Sequence, residues 1–209
     1  MPSRLEAENF LTEAQSQSKN FWSMPLAEHC RVVARFAETV AKSCGLDAEK
    51  AYILGLLHDI GRYEEPPGDH HVFGGYRLMK EKGYDQIARV CLSHSFPLQD
   101  IRAFGGGGFK GSPLEAEVIG NFLNEAVYDD YDKLIQLGDA VGKSEGVCLI
   151  EVRQFEIIMR HGFDDFTLKK WDAIFSLKNY FDKLCGMDIY DLFYDEVRNV
   201  SFRKKIEYN

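Results

Sequence analysis

No run in this chain approaches the ~18 consecutive apolar residues that a membrane span requires, and its N-terminus carries no apolar leader segment. The chain is therefore read as cytoplasmic, with no membrane partner. CxxC spacing is also missing, and the five cysteines, Cys30, Cys44, Cys91, Cys148 and Cys185, are odd in number. That excludes a thiolate zinc knuckle and favours buried free thiols in a reducing compartment. Positive charge is scarce: 25 Lys+Arg stand against 33 Asp+Glu, for a net charge of -8. General nucleic-acid binding, which needs a basic face to displace counterions, is thereby disfavoured. A small phosphate ester held by a metal ion and a few cations is not. The short basic run Arg203-Lys204-Lys205 reads as a solvated terminus. Strand alternation, internal repeats and low-complexity linkers are all lacking.

What is present is helical periodicity. Pro25 sits in the first turn of a helix whose stripe is Leu26, Val33, Phe36 and Val40, ending near Gly45. A polar helix over about 3–20 precedes it. Asp47 caps the next helix, which carries Tyr52, Ile53, Leu56 and Leu57 and stops at Gly61. Residues 63–68 form a loop, Asp69 caps a helix through Met79, and a helix over about 85–95 is ended by Pro97. The glycines at 105–108 mark a surface loop or a mobile lid. They are not a nucleotide fingerprint, since no strand precedes them. Ser112-Pro113-Leu114-Glu115 is a capping box opening a helix to about Tyr128. Helices follow near 130–143, 149–161, 166–185 and 189–200. The expectation is an all-α bundle in one domain over 1–209, with a core over about 25–145 and a helical extension over about 146–209. The aromatic residues of that extension, among them Trp171, Phe175, Phe181 and Phe193, read as helix packing, either internal or between two copies of the chain.

Several ionisable side chains fall where this pattern expects apolar ones. His29 lies on the stripe between Leu26 and Val33, and His94 continues Ile87, Val90 and Cys91. Asp139 follows Tyr131 and Ile135 at i+4 spacing, and His58-Asp59 closes the apolar run that begins at Tyr52. One histidine on an apolar stripe is more often a hydrogen-bonded core residue than a ligand. Buried carboxylates, however, need partners, and five such residues together point to a shared site. Imidazole and carboxylate donors suit Zn, Mn, Fe or Ni.

Leu57-His58-Asp59-Ile60-Gly61-Arg62 resembles the HDIG signature of the HD superfamily of metal-dependent phosphohydrolases. His29 fits the first histidine of that family's H…HD…D order and Asp139 its final aspartate, at separations of 29 and 80 residues around the pair. His70-His71-Val72-Phe73-Gly74-Gly75 is similar to the HxxxG(A/G) segment of members with two metals. It implies His70 as a ligand, with His71 the alternative, and His94 as the next one. The resemblance covers about residues 25–145; His161 lies outside it.

The implied activity is metal-assisted hydrolysis of a phosphate ester or anhydride, with one or two divalent ions (Mn, Fe, Ni, Zn or Mg) and a small phosphorylated substrate. Asp59 would bridge two metals, His29, His58 and Asp139 serving one and His70 and His94 the other. Arg62, one turn beyond His58, and Lys143, four residues after Asp139, are candidate phosphate contacts. A solvated Arg and a helix-end Lys are equally good readings of those two, and Lys110 is a weaker candidate. The sequence departs from two subfamilies. Ser95-Phe96-Pro97 after His94 does not match the HHE…GYP elements of HD-GYP phosphodiesterases, and Arg62-Tyr63-Glu64 does not match the HDxxED segment of (p)ppGpp hydrolases. The same ligand order is similar to diiron HD oxygenases, and a non-catalytic metal- or nucleotide-binding sensor is a third reading.

Overall fold

A computed structural model describes residues 1–17, 23–63, 70–105 and 108–202. Asp69, the greater part of the 63–68 loop, Gly106, Gly107 and the basic run at 203–205 lie outside the described residues, so the readings made there have no structural counterpart. The fold is all-α. The helices are α1 (Arg4–Gln17), α2 (Ser23–Ser43), α3 (Ala48–Leu57), α4 (His71–Glu81), α5 (Asp85–Ser93), α6 (Pro113–Glu125), α7 (Asp130–Val141), α8 (Ile150–His161), α9 (Thr167–Cys185) and α10 (Tyr194–Ser201). Short 3-10 turns lie at Ile60–Tyr63, Ile101–Ala103 and Ile189–Phe193.

The centre of the bundle is α3. Asp47 caps it by accepting from the Lys50 amide (3.0 Å), and Ala51, Ile53, Leu54, Gly55, Leu56 and Leu57 are all buried. A helix apolar on every side must be covered on every side. Here α1, α2, α5 and α7 pack around it. The neighbouring α2 buries Ala27, Cys30, Val33, Ala34, Phe36, Ala37, Val40 and Ala41. Its contact with α3 is close because Gly55 has no side chain: a Cβ there would lie 2.8 Å from the Ala34 Cα. A second, smaller apolar cluster, Val72, Leu92, Phe96, Phe104, Ile119 and Leu123, joins α4, α5 and α6. The capping box at Ser112 and Glu115 forms as expected.

The C-terminal helices share the main core. Phe181, Ile189, Phe193 and Val197 belong to the same cluster as α2 and α3, and Phe193 stacks on Phe36 at 5.1 Å between centroids. Glu196 of α10 accepts from Arg35 at 2.5 and 2.8 Å and from the Val147 amide at 3.1 Å. Burial raises the Glu196 pKa, but the Arg35 guanidinium and the Val147 amide outweigh it and hold the carboxyl below its ordinary value.

Three expectations are corrected. First, α3 stops at Leu57 rather than Gly61, because His58 and Asp59 turn out of the helix before the 3-10 turn at Ile60–Tyr63. Second, α7 ends at Val141. Gly142–Lys143 and Gly146–Val147 then form a two-residue antiparallel ribbon, pairing Gly142 with Val147 and Lys143 with Gly146. Two-residue strands are too short to show period-2 alternation in a sequence. Third, Cys44 and Cys185 are joined in a disulfide, whereas Cys30, Cys91 and Cys148 are free and buried. The ends of α2 and α9 bring those two Cα atoms to 4.5 Å across 141 residues of sequence. The cysteines therefore give no support to a reducing compartment. Among the described residues, no helix is long and apolar enough to cross a membrane.

Gly61 is the tightest point in the fold. A Cβ there would lie 2.1 Å from the His71 carbonyl oxygen and 2.3 Å from the Gly75 amide nitrogen. Gly61→Ala is expected to lower stability by about 1–3 kcal/mol, read as a shifted denaturant midpoint. For Glu196 the lowered pKa fixes the sign of the pH effect. The clasp contributes above the ordinary glutamate value and is lost as pH falls through the depressed folded value. The stability gap between wild type and Glu196→Gln, expected at no more than about 1 kcal/mol for a part-exposed pair, should be present in melts at neutral pH and vanish in acid.

Candidate metal centre

Four imidazoles and two carboxylates from five helices meet beside the C-terminus of α3. His29 comes from α2, His58 and Asp59 from the turn that ends α3, His71 from the first residue of α4, His94 from the end of α5, and Asp139 from α7. All but Asp139 are buried; the Asp139 side chain is 29% exposed, so the cluster opens to solvent on its side.

Asp59 stands at the middle, its two oxygens turned to different neighbours. Oδ1 lies 3.3 Å from His94 Nε2 and 3.4 Å from His71 Nε2. Oδ2 lies 3.7 Å from His58 Nε2 and 4.0 Å from His29 Nε2, and accepts from Arg62 Nε at 2.5 Å. Asp139 Oδ1 is 3.2 Å from His29 Nε2 and 3.8 Å from His58 Nε2. Two donor atoms bound to one ion at about 2.0–2.2 Å sit roughly 3.0–3.5 Å apart. The shorter of these separations have that spacing. Three triads have donor atoms within 4.8 Å of one another: His29-His58-Asp59, His58-His94-Asp139 and Asp59-His71-His94.

The orientation of the rings is set from behind. His29 Nδ1 faces the Gly142 carbonyl (3.2 Å), His58 Nδ1 the Gly55 carbonyl (2.7 Å) and His94 Nδ1 the Val90 carbonyl (3.1 Å). A carbonyl only accepts, so Nδ1 carries the proton in each neutral ring and Nε2 presents its lone pair to the cluster. The buried Nε2 atoms of His58 and His94 and the Oδ1 of Asp59 have no hydrogen-bond partner among the described residues. Buried polar atoms without partners are uncommon and costly. Cations bound among these donors would satisfy all three atoms, so the donor set fits divalent metal.

Electrostatics agree. Burial would raise the Asp59 pKa, but Arg62 and the surrounding imidazoles hold it well below the ordinary carboxylate range. Asp139 is likewise held well down against burial, by the neighbouring His29 and His58 imidazoles. Burial pushes the His29 pKa down; at His58 the charges of Asp59 and Asp139 outweigh burial and raise it. The carboxylates are therefore ionised and available as hard anionic ligands.

The structure gathers His29, His58, Asp59, His94 and Asp139 as expected. It does not bring His70 to them. His70 precedes α4 and its Nδ1 donates to both oxygens of Glu115 at 3.0 Å, the same glutamate that closes the capping box of α6. His71, one residue on, is rotated by a helical step into the core and faces Asp59. Arg62 reaches the site by another route than expected: the helix does not persist to it, and the 3-10 turn folds its side chain back onto Asp59. Lys143 shares no helix face with Asp139, since α7 has ended, and its Nζ donates to Glu156 of α8 at 2.5 Å. Lys110 is exposed on the surface, and His161 ends α8, outside the cluster.

Support residues absent from the sequence reading lie behind the cluster. Ser93 Oγ donates to Asp132 Oδ1 at 2.7 Å, and Gln136 Nε2 donates to the Ser93 carbonyl at 3.0 Å. Asp132, Gln136 and Asp139 share one face of α7, so this network fixes the end of α5, with His94, against the helix that carries Asp139. The Asp129–Asp132 capping box is the one sequence signal for it. Phe104, directly before the glycine run, packs against His71 at 6.0 Å and against Phe96 at 5.3 Å.

Comparison with known proteins follows the same lines. Residues 26–141 match the HD domain. An uncharacterised protein of Methanocaldococcus jannaschii is 35% identical over 88 residues, covering 39% of this chain and 52% of that protein. Ribonuclease Y of Mycoplasma capricolum and of Mycoplasma mycoides are each 39% identical over 66 residues, covering 31% of this chain and 13% of theirs. The chain thus spans about half the length of the archaeal relative and a small part of the two ribonucleases. No solved structure matches. The HD match covers more than half of the chain and contains all six cluster residues, and the chain belongs to the HD domain family.

Proposed function

We propose that this chain is a metal-dependent phosphohydrolase acting on a small phosphorylated metabolite, a phosphate ester or anhydride. His29, His58, Asp59 and Asp139 hold one divalent ion, and Asp59, His71 and His94 hold a second. The observation that carries this reading is the division of Asp59: each of its oxygens faces a different pair of imidazoles, and among the described residues the buried Nε2 atoms of His58 and His94 and the Oδ1 of Asp59 lack hydrogen-bond partners. Imidazole–carboxylate donors without thiolate suit Mn, Fe, Ni or Zn.

When bound, paired divalent ions lower the pKa of water to make a nucleophile and neutralise charge on phosphoryl oxygens. The chain supplies the rest. Nδ1 contacts to backbone carbonyls orient His29, His58 and His94 before any ligand arrives. Arg62 donates to Asp59 from a side chain that is 40% exposed, so its remaining N–H groups are accessible to a phosphoryl oxygen. Asp139, on the open side, stands where substrate enters. A ribonuclease Y-like action on RNA is disfavoured by the net charge of -8.

Element-resolved mass spectrometry of the purified chain should find two first-row metal ions per chain. Asp59→Ala is expected to abolish binding. His71→Ala should leave one ion, and His70→Ala should leave both. No uptake after incubation with Mn, Fe, Ni or Zn would overturn the metal reading. Phosphate release from nucleotide and monoester substrates should depend on the added metal and fall by about a hundredfold or more in Asp59→Ala. Oxygen consumption by the iron-loaded chain, without phosphate release from any substrate, would instead assign it to the oxygenases. An RNA oligonucleotide cut faster than small substrates would overturn the substrate class.

A further inference from the structure

Beside the metal centre, outside the span that matches the HD domain, α8 carries a second set of charges. Arg153, Glu156 and Arg160 stand at i, i+3 and i+7, one face of the helix. Phe155 and Met159 occupy a different, solvent-exposed face. Glu156 Oε1 accepts from Lys143 Nζ at 2.5 Å, and its Oε2 lies 3.9 Å from Arg153 Nη1. Lys143 directly follows Gly142, whose carbonyl anchors the His29 ring. The face is therefore tied to the metal centre through the ribbon.

This cluster carries more positive charge than its own acid neutralises. Lys143 and Arg153 face the Glu156 carboxylate and Arg160 its backbone carbonyl, so that among the described residues three cations share this face with one acid. The Arg153 Nε is buried and has no hydrogen-bond partner among the described residues. Arg160 Nε reaches the Glu156 backbone carbonyl at 3.4 Å, and among the described residues no carboxylate lies within ion-pair distance of its guanidinium. Arg160 stands one turn beyond Glu156, the residue that Lys143 ties to the ribbon anchoring His29. A part-exposed i,i+3 pair at 3.9 Å, such as Arg153–Glu156, contributes little to stability. Stability gives no reason for an additional guanidinium beside it or for a buried Nε without a partner. A dianionic group held by the accessible guanidinium nitrogens accounts for the excess charge, since one further phosphate carries about -1.5 to -2 charges at neutral pH.

We propose that Arg153 and Arg160 of α8 form an anion site for a second phosphate beside the scissile one, so that the substrate is a diphosphate or longer phosphoanhydride rather than a monophosphate ester. The inference rests on the phosphohydrolase reading of the neighbouring centre. Arg62 and the metals take the scissile phosphoryl group, and the α8 guanidiniums hold the next one as bidentate donors.

The test is calorimetric binding of methylenediphosphonate and methylphosphonate to the full metal-loaded chain, so that no turnover is needed. Wild type should bind the diphosphonate about tenfold or more tightly than the monophosphonate. Arg160→Gln should erase most of that preference, leaving the methylphosphonate affinity and the two-metal content unchanged. Arg160→Lys should restore only part of it, because the fork geometry is lost. Arg160 is exposed, so its substitution leaves the fold intact; Arg153→Gln is read alongside a melting curve. Equal affinity for both probes, or a preference that survives Arg160→Gln, would overturn the inference and leave the phosphohydrolase reading standing. Binding of neither probe by a chain that holds its metals would overturn both.

Discussion

The buried carboxylate of Asp59 is the constraint around which the rest of the molecule is arranged. An ionised carboxylate removed from water is costly unless it is surrounded by donors or cations. Here the surroundings are four imidazoles and one guanidinium, delivered by α2, α4, α5, the end of α3 and the turn after it. None of those contacts is local except those from His58 and Arg62. The charge therefore demands that the bundle close correctly, and the bundle in turn leaves a pocket of donor atoms that protein groups alone do not satisfy.

Close backbone approach makes that convergence geometrically feasible. Gly61 lets the turn after Asp59 lie against the first turn of α4, where any side chain would collide with the His71 carbonyl and the Gly75 amide. Gly55 lets α2 come down on α3, setting His29 against His58, their rings 5.3 Å apart. Behind the rings, backbone carbonyls and the Asp132–Ser93–Gln136 network hold orientations that side-chain entropy would otherwise disperse. Packing, ring orientation and electrostatics thus act on the same few atoms. That is the arrangement in which a bound ion is held at fixed geometry, without reorganisation of its ligands.

Much of this was legible in the chain itself. The helices followed from apolar spacing and capping residues, and Asp47, Ser112 and Glu115 cap as their positions imply. The ionisable residues on apolar stripes, His29, His94 and Asp139, marked the site because a charge on a buried face needs a reason. Arg62 was also recognised, although by the wrong geometry. Less legible were features that depend on where a helix stops. The end of α7 at Val141 moved Lys143 off the Asp139 face and onto Glu156, and the ribbon that follows is too short to leave a periodic signal. The Cys44–Cys185 bridge was hidden because proximity across 141 residues is a property of the fold, not of spacing.

The adjacent histidines show the division most plainly. The resemblance carried by His58-Asp59-Ile60-Gly61 and by His70 to Gly75 implied that a histidine at the start of α4 joins His29, His58, Asp59, His94 and Asp139, and it favoured His70. Which of the two it is depended on tertiary structure. Successive residues on a helix point about 100° apart, so only one can face Asp59, and α6 offers Glu115 to the other. The proposed cation face of α8 likewise depends on tertiary structure. Nothing in the chain singled out Arg153 or Arg160. The packing of α8 against α7 and the Lys143–Glu156 ion pair bring this face to the ribbon that anchors His29, because a long-range contact depends on the whole bundle closing and not on any local pattern.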